Sequence, residues 1–260
     1  MSAAILGLEL RFRARAVASA ALGLVALTAL VGSLYPSLGD SIADVEIPKE
    51  IGDFIGGSDL ATIQGWLRAE IMAVYGPVVF AVIAITSATA TTAGEEEGHV
   101  FALVLAKPVP RRRLLLAKAA AIALLLGALS VAVLVGLRIA VAIAGGGVAT
   151  AHLAAASLHL LAFGLAVGAL ALALGAGTGQ RGHAAGVAAG ITLVMYLVNG
   201  IAPVSDATSW LRYLTLFHYY EGGDPIANGI DAAGLAVLVL VTTLLLAVAV
   251  AAFERRDLRG

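Results

Sequence analysis

Residues 92–118 read TAGEEEGHVFALVLAKPVPRRRLLLAK, and the fold turns on how this charged connection sits between the two long apolar stretches that flank it. Three acids (Glu95, Glu96, Glu97), five bases (Lys107, Arg111, Arg112, Arg113, Lys118) and two prolines (Pro108, Pro110) crowd into it. From 95 to 105 the spacing predicts a helix with Glu97, Val100, Phe101, Val104 and Leu105 on one side, its acids in the first turn where the helix dipole favours negative charge. Lys107 and Pro108 end it. About eleven residues reach only about 16 Å, too short for roughly 30 Å of hydrocarbon, and the charged start would be costly in lipid tails. The helix is therefore expected to lie along a membrane face. KPVP then serves as a stiff extended connector, and the triple arginine suits an anionic leaflet. Two uses remain open: a passive rider in the headgroup layer, which spacing alone favours, or a plug for a soluble partner.

Working outward, the 260-residue chain is 60% hydrophobic and only 13% charged, and its longest apolar runs exceed what a water-soluble domain of this size can hide. The reading is an all-α polytopic membrane protein, a single six-transmembrane-helix bundle, with spans near 16–35, 71–92, 114–143, 152–174, 184–203 and 232–253. Arg11, Arg13 and Arg15 ahead of the first apolar run imitate a signal peptide, but about twenty apolar residues make it an uncleaved first span. Twelve of the 16 Lys and Arg fall at the N-terminus, in the 92–118 connection, at Arg181 and at the C-terminus, while most acids lie in 40–70 and 206–231. The positive-inside rule then puts both termini and the connection in the cytoplasm. With 17 acidic residues the net charge is −1, so no overall attraction to nucleic acid is expected. The absence of cysteine removes disulfides and thiol chemistry.

Short breaks complete the outline. GGG at 145–147 reads as an outer turn and GAGTGQRG at 175–182 as an inner one. In the outer segment, IPKEIGDFIGG (47–57) and LATIQGWL (60–67) read as short surface helices, with Trp66 suited to the interface. Lys118 and Arg138, twenty residues apart, fall at opposite edges of the bilayer core. His152 and His159 share a face of span four, and a metal site there is conceivable, but two histidines without a cysteine or nearby acid make a weak case for one. Thr86, Thr89, His159 and Asn199 are the candidate path-lining residues, although back-bonding and helix packing are the favoured account of the threonines unless this helix lines the path, and interhelical hydrogen bonding explains Asn199 without a ligand. No catalytic residues are assigned. The chain lacks a P-loop, and GAGTGQ has no preceding strand. It also has neither His-Glu-x-x-His nor Gly-x-Ser-x-Gly, which argues against an intramembrane enzyme.

Several stretches are similar to the permeases of type 2 ABC exporters, in order along nearly the whole chain. AGEEEGHVFALVLAKPVPRRRLLLAK resembles that family's acidic pair, glycine, leucine-rich turn, Pro-Val-Ser-Arg and lysine. GWLRAEIMAVYGPVVF (65–80), GTGQRGHAAGVAAG (177–190), RYLTLFHYYEGGDPIANGID (212–231) and FERRDL (253–258) match further landmarks. Pro110 stands where Ser or Thr is usual, and His99 where Thr is common. The resemblance implies a prokaryotic cell-membrane subunit whose cytoplasmic coupling helix (Glu95, Glu96, Glu97, Val100, Phe101, Val104, Leu105) docks into a separate ATPase. It implies two ATPase copies holding ATP and Mg2+, a second permease copy, and no cofactor on this chain. LELRFRARA (8–16) resembles the elbow helix of such permeases. A largely apolar interior suits lipophilic cargo such as drugs, antibiotics or lipids. The competing expectation is a self-contained carrier or channel, which the lack of midplane charge and of broken-helix repeats disfavours.

Overall fold

The computed structural model describes residues 2–43, 60, 62–97 and 110–256. Among these every element is helical, and six helices are long and apolar enough to cross a membrane: Ala14–Ser37, Ile63–Glu97, Arg111–Ala144, Thr150–Thr178, Arg181–Val204 and Ala232–Arg255. We name the elements in chain order. They are α1 (Ser2–Ala43), α2 (Ile63–Leu67), a π-helical segment (Arg68–Tyr75), α3 (Gly76–Thr91), α4 (Ala93–Glu97), α5 (Arg111–Ala144), α6 (Thr150–Thr178), α7 (Arg181–Ile201), α8 (Leu216–Glu221), α9 (Pro225–Asn228) and α10 (Ala232–Arg255). Two 3-10 turns, Ala202–Val204 and Ser209–Leu214, link α7 to α8.

α6 is the axis of the bundle. It is buried along most of its length, with Leu160, Phe163, Ala166 and Val167 inaccessible, as expected of a helix apolar all round. Small residues let neighbours approach it: a Cβ on Gly164 would stand 2.8 Å from the Phe80 ring, and one on Gly175 would collide with Thr92 Oγ1. α1 lies against α5 by the same device, with Gly32 over Ala140 and Gly136 against Thr28. Without a hydrophobic drive between helices in lipid, such close backbone approach is how spans associate. Ser130 adds a hydroxyl bond from α5 to the Ser157 carbonyl of α6 at 2.7 Å. α7 and α10 keep apolar outer faces, with Leu193, Val194, Val239, Leu240 and Leu244 exposed.

Three expectations change. LATIQGWL does not form a separate surface helix: Thr62 caps α2 through the Gly65 N–H, and α2 runs straight into the second span. Trp66 is buried, its indole donating to the Val31 carbonyl at 3.0 Å beside Tyr35, because a carbonyl of α1 satisfies the N–H that would otherwise seek the interface. The inner break shrinks from 175–182 to a two-residue turn, since α6 continues to Thr178 and Gly179 ends it at φ +64°. The backbone of 8–16 belongs to α1 without interruption, most of it ahead of the first span's start at Ala14. A turn at 145–147 is where the sequence placed one, with Gly145 at φ +70° closing α5. The segment 47–57 lies outside the described residues.

The π-helical segment explains itself once Pro77 is considered. In an i→i+5 register the amide of residue 77 would serve the Met72 carbonyl, and proline has no N–H to give. The fully buried Tyr220 donates its hydroxyl to that carbonyl at 2.8 Å. Arg68, at the start of the segment, pairs with Glu221 at 3.4 Å and Asp224 at 2.7 Å. The wide turn is thus held from outside by α8 and the turn that follows it.

Candidate functional site

The arginine-rich face is built where α3 gives way to α4. Helical geometry breaks at Thr92, whose φ and ψ are −111° and −89°. Its hydroxyl bonds back to the Ala88 carbonyl at 2.9 Å, and Gly175 leaves room for it. The new direction carries the three acids to three different helices. Glu95 pairs with Lys118 of α5, Glu96 pairs with Arg256 beyond α10, and Glu97 accepts the Arg181 N–H at the start of α7 at 2.8 Å. Arg111 closes the ring by donating to the Arg256 carbonyl at 2.7 Å. Glu96 is 6% exposed and Lys118 2%. Charges so buried persist only when paired, and removing one partner of such a pair is far costlier than the pair's net worth.

This arrangement sharpens the reading of the connection. The acids face cations of their own chain, so α4 is anchored to spans three, five and six and is the rigid root of whatever follows. Val100, Phe101, Val104, Leu105, Lys107 and Pro108 lie outside the described residues. Arg112 and Arg113 are exposed at the start of α5, and Arg111 is half-buried. Sequence reasoning missed Arg256 as a partner. The signal was present in three consecutive acids that needed cations, but pairing across 160 positions cannot be read from spacing.

The candidate path-lining residues separate. Thr86 is exposed and bonded to the Val82 carbonyl at 2.6 Å, whereas Thr89 is buried and bonded to Ile85 at 2.8 Å. His159 is wholly buried between the carbonyls of Ala155 at 2.8 Å and Asp231 at 3.2 Å, tying α6 to the start of α10. His152 likewise meets the Ile226 carbonyl at 3.1 Å. The two histidines therefore brace the α8–α10 region. No group of three metal-ligating side chains occurs among the described residues. Asn199 borders a sizeable cavity, and it accepts the Thr215 hydroxyl at 3.1 Å. Arg138 is exposed near the end of α5.

With six spans and an anchored basic face in view, the comparison with protein families is decisive. Residues 3–254 match the model of the family described as multidrug efflux system permease Rv1217c, C-terminal domain. The chain belongs to this permease family. The match agrees with the resemblance to exporter permeases and covers almost every described element, and, with six apolar helices long enough to span a membrane, it marks the permease as a membrane protein. No curated protein matches it.

Proposed function

We propose that this permease is the transmembrane subunit of an ATP-driven exporter, non-enzymatic in its own chain, which moves lipophilic cargo out of the cytoplasm using a separate ATPase subunit. The observation that carries the proposal is the clamp on α4. Glu95, Glu96 and Glu97 connect the root of the 98–109 segment to spans three, five and six. Force applied to that segment by a partner reaches half the bundle through short, charge-assisted bonds. Docking itself falls to the apolar side, Val100, Phe101, Val104 and Leu105, since the acids are engaged internally. We further propose two such bundles and two ATPase subunits per transporter, with ATP and Mg2+ held by the ATPase. Both termini and the arginine-rich face lie in the cytoplasm of a prokaryotic cell by the positive-inside rule.

Co-purification with the ATPase encoded beside this chain, followed by ATPase assays across candidate cargoes, tests the proposal. Phe101→Ala should weaken co-purification while leaving membrane insertion intact. Undiminished co-purification and transport would remove the coupling role. Transport by the permease alone in vesicles without ATP would replace the exporter with a self-contained carrier.

A further inference from the structure

At the end of the bundle opposite the arginine-rich face, the π-helical segment, α7 and α8 enclose a cavity of about 320 Å³ whose wall includes Arg68, Asn199, Arg212, His218 and Glu221. Arg68 is the counter-ion of Glu221 and Asp224. Arg212 has no carboxylate partner among the described residues. Its Nη2 donates to the Tyr213 hydroxyl at 3.0 Å, and its guanidinium lies 5.0 Å from that ring. Its Nε is buried without an acceptor. Burial, together with the charge of Arg212, holds His218 below the usual imidazole range despite Asp231, so His218 offers a neutral ring. The wall therefore presents Arg212, a cation with no carboxylate of its own, and the amide of Asn199, while Glu221 and Asp224 share Arg68. A buried donor with no acceptor is a costly arrangement that a ligand would relieve.

Beside this cavity, and sharing Ala73, Tyr196 and Phe217 with it, runs an apolar cleft of about 270 Å³ between α3 and α7. Val78, Val82 and Leu193 line the cleft and are more than half exposed, so it opens sideways toward hydrocarbon. The Thr192 hydroxyl in its wall is engaged by the Ala188 carbonyl at 2.8 Å. A soluble anion would leave this cleft unused, a wholly apolar molecule would leave Arg212 unanswered, and a cation would bring that residue's buried Nε no acceptor. Sites of this size, mostly dry with a few placed polar groups, are typical of small-molecule pockets.

We propose that cavity and cleft together bind one amphiphile carrying an acidic headgroup, its head against Arg212 and Asn199 and its chain along α3 and α7. That this amphiphile is cargo rests on the efflux reading; that it binds the permease does not. The test uses the full chain in phosphatidylcholine nanodiscs with tritiated palmitate, at mildly alkaline pH where the carboxylate is ionised. Dodecyl phosphate should displace the label, and dodecanol and dodecyltrimethylammonium should not. Arg212→Gln should weaken binding about tenfold, the loss expected for one charged hydrogen bond, with Arg212→Lys retaining part of it. Ala189→Trp, which fills the cleft, should weaken it independently. Displacement by dodecanol as good as by dodecyl phosphate, binding no greater than in empty nanodiscs, or wild-type affinity in a folded Arg212→Gln variant would overturn the site. Binding without ATP-driven movement of palmitate would support the site and make its occupant a resident lipid. Loss of binding alongside intact efflux of other compounds would overturn the site and leave the exporter standing.

Discussion

Glu221 is the residue with the most to report about its surroundings. Desolvation pushes its carboxyl up to about 7, with Arg68 opposing the rise and Asp224 reinforcing it. Tyr220, Tyr196, Asn199, Arg212 and His218 complete the groups near it. A raised carboxyl binds its proton more tightly in the folded chain than in the unfolded one. The stability it contributes is therefore full below the ordinary value of 4.5 and lost as pH rises through about 7. The melting temperature of the purified permease should fall across that window, and Glu221→Gln should flatten the fall. An equally steep profile in the variant would assign it to other groups. Gly164 makes a different residue-scale prediction. With Phe80 2.8 Å from its absent Cβ, Gly164→Leu should cost about 1–3 kcal/mol by overpacking, read as a lowered unfolding midpoint in detergent.

At the scale of elements, the clamp on α4 and the prop under the π-helical segment are contacts that reach between helices with charge or a hydroxyl. Glu96→Arg should destabilise the permease by about 3 kcal/mol by leaving Arg256 facing a like charge, and adding Arg256→Glu should recover most of that loss. Failure of the double reversal to recover would show that the two side chains act separately. Tyr220→Phe orphans the Met72 carbonyl and should cost about 1–3 kcal/mol, measured by thermal unfolding. Neither contact could be foreseen from local pattern. Hydrophobic run length located every span, and Gly145 announced its turn, because length and left-handed backbone leave direct marks in a chain. The continuation of α2 into the second span did not: Trp66 looks like an interfacial anchor until the Val31 carbonyl of another helix is brought to its indole. The same holds for Glu95, Glu96 and Glu97, whose clustering called for cations while the partners themselves remained invisible.

For the molecule as a whole, the absence of cysteine makes topology directly measurable, since a single introduced thiol has no background. Arg112→Cys should be modified by an impermeant maleimide only in inside-out vesicles, and Ile230→Cys only in intact cells. Labelling of both from one side would refute the six-span orientation. The exposed apolar faces of α7 and α10 are consistent with contact to lipid or to a second bundle. One local feature then acquires a global meaning. The turn of 68–75 is wider than an α-helix needs, and it persists because a phenol from a distant helix occupies a carbonyl that proline deserts. Were that phenol withdrawn, tightening by a single residue would rotate everything ahead of it by about 100°. Arg68 would swing off both carboxylates, so one hydroxyl on one carbonyl keeps the entrance of the second span in register.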